Sequence, residues 1–137
     1  MQKLINGAVA GVVATLVLSL MMLMKSKMGV MPELNIIAML AGMMGGTLVL
    51  GWVAHFMIGA AYGVVFYMAN DKLPTKSVIS KGVILGVIGW LVMMLMLMPM
   101  MGAGLFGMKM GLMAPVMTLV LHAIFGAVLG FIYSKLP

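Results

Sequence analysis

The sequence predicts an all-α integral membrane protein, a four-helix bundle built from two parallel two-helix repeats, with a short interfacial or re-entrant segment in the first outer loop. Three observations carry this. Of 137 residues, 65% are hydrophobic and 7% charged, whereas soluble domains are about half apolar and about a quarter charged. Four apolar runs are each long enough to cross roughly 30 Å of hydrocarbon as a helix. The chain also matches itself when shifted along its length.

The spans are 4–24, 47–69, 82–101 and 112–133, bounded by lysine, proline or polar clusters such as Lys25-Ser26-Lys27 and Asn70-Asp71-Lys72. The first run is too long for a signal peptide and lacks a small-residue cleavage site, so it is expected to be retained. Residues 29–46 do not span, because Pro32, Glu33 and Asn35 interrupt the apolar pattern. Pro32 suits a first helical position there, and Leu34, Ile37, Leu40 and Met44 recur on one helical face. The stretch from Pro99 to Gly111 carries four glycines and is expected to be irregular.

All eight basic residues are lysine, against two carboxylates, Glu33 and Asp71. With the N-terminus inside, Lys3, Lys72, Lys76, Lys81 and Lys135 fall inside, and Lys25, Lys27 and Lys109 outside. That excess favours two cytoplasmic termini. No dense basic face suggests nucleic acid. Cysteine is absent, which excludes disulfides and thiolate metal sites.

Shifted by 75 residues, Gly7, Gly11 and Met21 fall on Gly82, Gly86 and Met96; shifted by 67, His55, Gly59 and Gly63 fall on His122, Gly126 and Gly130. The repeats, 1–70 and 76–137, make a single transmembrane domain and enter the bilayer in the same direction, so their pseudo-twofold axis should stand along the membrane normal. Gly7/Gly11, Gly59/Gly63, Gly82/Gly86 and Gly126/Gly130 each place small residues one turn apart, the pattern that lets helix backbones approach in lipid.

The only histidines, His55 and His122, occupy equivalent places inside spans. An ionisable side chain there is a functional candidate by default. Two imidazoles across a pseudo-twofold axis could ligate one haem b; alternatively each ring bonds a carbonyl, a threonine such as Thr118 or the other ring, and stiffens the bundle. Of 21 methionines, 18 lie between positions 21 and 44 or 93 and 117. Thioether sulfur suits Cu(I), and Met93, Met96 and Met100 fall near one helical face. Methionine is equally an adaptable packing residue.

Glu33 and Asp71 lie in loops on opposite sides and cannot form an acid–base pair. No serine has both a histidine and an acid within reach, and no span carries a carboxylate or lysine to relay protons. The runs Pro32-Glu33-Leu34-Asn35 and Gly51-Trp52-Val53-Ala54-His55-Phe56, the segment from Pro99 to Gly107, and His122 with Gly126 and Gly130 resemble a family of small uncharacterised bacterial inner-membrane proteins with four helices. The resemblance covers nearly the whole chain and implies that source and span count, and no activity. The expectation is therefore a non-catalytic structural or accessory subunit, without a cofactor of its own, packing in the bilayer against a larger, possibly respiratory complex or against a second copy. Cu(I) binding and a bis-histidine haem stand as alternatives.

Overall fold

The computed structural model describes residues 1–137 and contains helices and no strands. Four helices are long and apolar enough to cross a membrane: α1 (Gln2–Lys27), α3 (Leu48–Ala69), α4 (Val78–Met100) and α5 (Met113–Lys135). A short helix, α2 (Ile36–Met43), lies between the first two. The protein is a multi-pass four-helix bundle that resides in a lipid bilayer, as composition required.

Local chemistry sets the boundaries. The third long helix starts four residues before the expected 82, because the Ser77 hydroxyl accepts the Ser80 N–H at 3.3 Å and so caps a turn that holds Lys81. In the connection between α1 and α3 Pro32 does not begin the helix. Asn35 caps it instead, its Oδ1 accepting the Ala38 N–H at 3.1 Å. The apolar face expected there is real for Leu34, Ile37 and Leu40, all buried, whereas Met44 is 53% exposed. Between Pro99 and α5 the chain forms a 3-10 stretch, Leu105–Met110, broken by left-handed backbone at Phe106 and Gly107.

One departure from regular helix has a clear cause. Residues Met93–Leu97 of α4 form a π turn. Pro99 follows, with no N–H to donate and a ring that would press on the carbonyl four residues earlier. A widened turn in this place relieves that crowding.

The long helices pack as two hairpins, α1 with α3 and α4 with α5. Glycine backbones meet at both crossings. A Cβ on Gly11 would strike the Gly59 carbonyl and one on Gly63 the Gly7 carbonyl; in the second hairpin Gly82 and Gly126 block each other in the same way. The registers differ by one turn: Gly59 faces Gly11, but its counterpart Gly126 faces Gly82, while Gly86 faces the His122 carbonyl. Hydroxyls inside α1 are satisfied locally, Thr15 donating to the Gly11 carbonyl at 2.8 Å and Ser19 to that of Thr15 at 2.7 Å.

Both termini lie at one end of the bundle, where the Asn6 side-chain amide donates to the Pro137 carbonyl. Reporters placed at positions 71 and 109 are therefore expected to answer from opposite compartments, and answers from one compartment would break the four-span arrangement.

Candidate functional site

The two hairpins do not close symmetrically. α1 rests against α5, whereas α3 and α4, the corresponding pair under the repeat, stand further apart. Tyr62 reaches across, its hydroxyl lying over Gly89. A cavity of about 350 Å³ occupies this region, walled by all four long helices and lined mostly by apolar side chains.

His55, His122, Met93, Met96 and Met100, the five residues marked by the sequence as haem or copper candidates, all line this one cavity. On α3, His55 falls in the stripe Gly51, His55, Gly59, Gly63, one residue per turn. The glycines let α2 and α1 come close: Gly51 faces the Ile37 carbonyl, and Gly59 faces the Thr15 hydroxyl. His55 is thereby 8% exposed, and its Nε2 is buried without a hydrogen-bond partner. Such an orphan is uncommon in a folded interior and calls for an explanation.

His122 is held differently. Its Nδ1 lies 2.9 Å from the Thr118 carbonyl, which can only accept, so Nδ1 carries the proton and Nε2 of the neutral ring keeps its lone pair. Thr118 is itself fixed, its hydroxyl donating to the Ala114 carbonyl at 2.7 Å and accepting from Trp90 Nε1 at 3.0 Å. The carbonyl bond expected of the histidines is formed at His122, within its own helix, and not at His55, and no bond joins the two rings.

The methionines divide into two groups. Met94 and Met98 are buried and pack with Leu34 and Ala103 as an apolar plug at the end of the bundle away from the termini, which is the gap-filling role, although Met98 also touches the cavity. Met93 is half-buried in the cavity wall, while Met96 and Met100, 60% and 66% exposed, stand at its rim. No three His, Asp or Glu side chains converge, so any metal held here would need thioether sulfur.

The packing glycines Gly7, Gly11, Gly63, Gly82, Gly86, Gly126 and Gly130 are covered by neighbouring backbone, and Gly59 and Gly89 by Thr15 and Tyr62. Most of the surface they free is taken up by helix contact, and only Gly59 and Gly89 among them line the cavity. Thr15 and Tyr62 also line the cavity without having been singled out in the sequence, and Leu34, marked there only for the apolar face of the first loop, joins them. Thr15 does carry a signal, since it continues the small-residue spacing of Gly7 and Gly11; Tyr62 carries none.

Over residues 1–137 the chain matches the model of one protein family, described as a family of unknown function. No curated protein and no solved structure matches it.

Proposed function

Because the chain belongs to DUF6789, a family of unknown function, the reading has to come from the site, and we propose that the protein is a non-catalytic accessory membrane protein that holds a small guest in the cavity between its hairpins. The observation that carries this is the buried, unpartnered Nε2 of His55 in the wall of an otherwise apolar chamber. Ligand sites characteristically combine an apolar lining with a few placed polar groups. A second lone pair, Nε2 of His122, is made available by the Nδ1 bond to Thr118.

The same two nitrogens are what a bis-histidine haem b would use. A chamber of about 350 Å³ lies near the small end of the range for ligand pockets, roughly 300–1,000 Å³, and the glycine surfaces that would accommodate a macrocycle are occupied by neighbouring helices and side chains. A guest smaller than haem fits this volume better. The accessory role rests on how little of the chain lies outside the helices: a larger respiratory or other complex, or a second copy, would meet it on apolar faces such as Leu16, Leu20 and Leu23. The lysine distribution supports cytoplasmic termini, and the bacterial inner membrane rests on the family resemblance alone.

Protein purified from native membranes is expected to carry a small species detectable by mass spectrometry or elemental analysis, and to lose it in Leu121→Trp, which fills the chamber from a buried wall position. A species that persists in a folded Leu121→Trp variant, or none at all in the unaltered protein, overturns the reading. The same preparation reports on the other roles, a Soret band marking haem and a stoichiometric co-purifying protein marking the accessory subunit.

A further inference from the structure

Resting on the reading of the cavity as a binding site, we propose that it is a Cu(I) site, with Nε2 of His55 and Nε2 of His122 as nitrogen ligands and Met93 supplying thioether sulfur, and with Met96 and Met100 at the rim as the entry path.

Four features of the site lead to this ion. First, His55 is buried, lines the cavity and has a ring nitrogen without a partner. Second, His122 has the arrangement of a metal-ligating histidine, with the remote ring nitrogen hydrogen-bonded to a carbonyl and the other free to coordinate. Third, beyond the hydroxyls of Thr15, Thr118 and Tyr62, the first two already bonded to helix carbonyls, the remaining side-chain donors on the wall are thioethers, and a wall without carboxylates suits a soft ion better than Mg²⁺ or Ca²⁺. Fourth, every donor is neutral. Glu33 lies in the first outer loop and Asp71 at the opposite end of the bundle, and the chain has no cysteine to give a thiolate. A divalent ion would place two uncompensated charges in an apolar chamber, whereas Cu(I) places one; burial of unpaired charge is what disfavours the former. Zn²⁺ sites draw on thiolate, carboxylate or several imidazoles, and two imidazoles alone fall short of that set.

The methionine distribution follows from the same assignment. Met96 and Met100 are exposed at the rim although the buried Met94 and Met98 already fill the core on that side. Flexible thioethers in that position can hand a soft ion inward with no proton to release.

The test uses the full chain in detergent or nanodiscs, free of oxygen, with Cu(I) delivered against the competing chelator bathocuproine disulfonate. One Cu(I) per chain is expected, with an X-ray absorption first shell containing both nitrogen and sulfur. His55→Gln, His122→Gln and Met93→Leu should each weaken binding by about tenfold or more, the scale seen when ligand or supporting groups are removed. Met57→Leu, on the exposed face of α3 and outside the cavity, should leave it unchanged. Absence of Cu(I) binding, an all-sulfur shell, or an affinity insensitive to both histidine substitutions overturns the proposal. Since the shell is read on unaltered protein, a misfolded variant does not blur the result. If Cu(I) fails while another species is still lost in Leu121→Trp, the metal assignment falls and the binding reading stands.

Discussion

Gly126→Val is expected to open the second hairpin and lower the stability of the bundle more than any single change at a cavity residue. A Cβ at position 126 would overlap the Gly82 carbonyl and lie 3.0 Å from the Cα of Val83. Both obstacles are backbone, so no rotamer change relieves them and α4 must move away from α5. Helices in lipid are held by close van der Waals packing and little hydrophobic drive, and separation by even a fraction of an ångström forfeits much of that attraction. Overpacking a core costs about 1–3 kcal/mol where side chains can adjust. With rigid backbone on the other side the loss should reach or pass the top of that range, which is a large fraction of the roughly 5–15 kcal/mol that holds an ordinary domain. Gly42→Ala is the matched control. It sits inside α2 with nothing within 4 Å of the new Cβ, and alanine is favoured over glycine in a helix by about 1 kcal/mol. Reversible unfolding in mixed micelles should therefore show Gly126→Val strongly destabilised and Gly42→Ala neutral or slightly stabilised. Equal effects would mean that the glycine crossing does not hold the hairpin.

The spans and the α2 face were legible because lipid imposes a length and a polarity on every segment that crosses it, and a 20-residue apolar run has few alternatives. The register between helices was not. Gly7, Gly11, Ala14 and Thr15 put small residues on successive turns of α1, so the α1–α3 crossing could slide by one turn and still bring small residues together. The one-turn difference between hairpins is settled by packing that no pairwise comparison of the repeats reveals. The histidines and three of the methionines were picked out for different reasons, charge in a span and softness of sulfur. That they meet in one chamber depends on the gap between α3 and α4, a break in the apparent symmetry. Nothing in the sequence distinguishes α1–α5, which closes, from α3–α4, which stays apart. The π turn at Met93–Leu97 was signalled by Pro99, but its effect on which methionines face inward needed the actual path of the helix.

Lys25→Met is expected to loosen the loop between α1 and α2 while leaving the helix crossings intact, and so to separate local from global stability. Lys25 sits in the last turn of α1 and is 9% exposed. It counts among the outer lysines in the charge tally, yet its ammonium serves as a clamp, donating to the carbonyls of Val30 at 2.9 Å, Met31 at 2.6 Å and Leu34 at 3.4 Å. Met31 is held there with φ +45, a left-handed conformation that costs a branched or bulky residue energy unless its surroundings enforce it. Methionine keeps the length and apolar stem of the side chain and removes all three donors. Charge-assisted hydrogen bonds are worth about 1.5–3 kcal/mol each when buried; water at the bilayer edge takes over part of this, so a loss of about 2–3 kcal/mol confined to the loop is expected. Hydrogen exchange should report it at the Leu34 N–H, which donates to the Met31 carbonyl at 3.0 Å, with protection falling by roughly 30-fold or more, the equivalent of about 2 kcal/mol, while amides at the Gly11–Gly59 crossing keep theirs. Leu34 and Ile36 line the chamber, so a loosened loop should also speed the release of whatever the chamber holds. Unchanged exchange at Leu34 would show that the plug formed by Leu34, Met94 and Met98 fixes the loop without the lysine, and would uncouple the loop from the site.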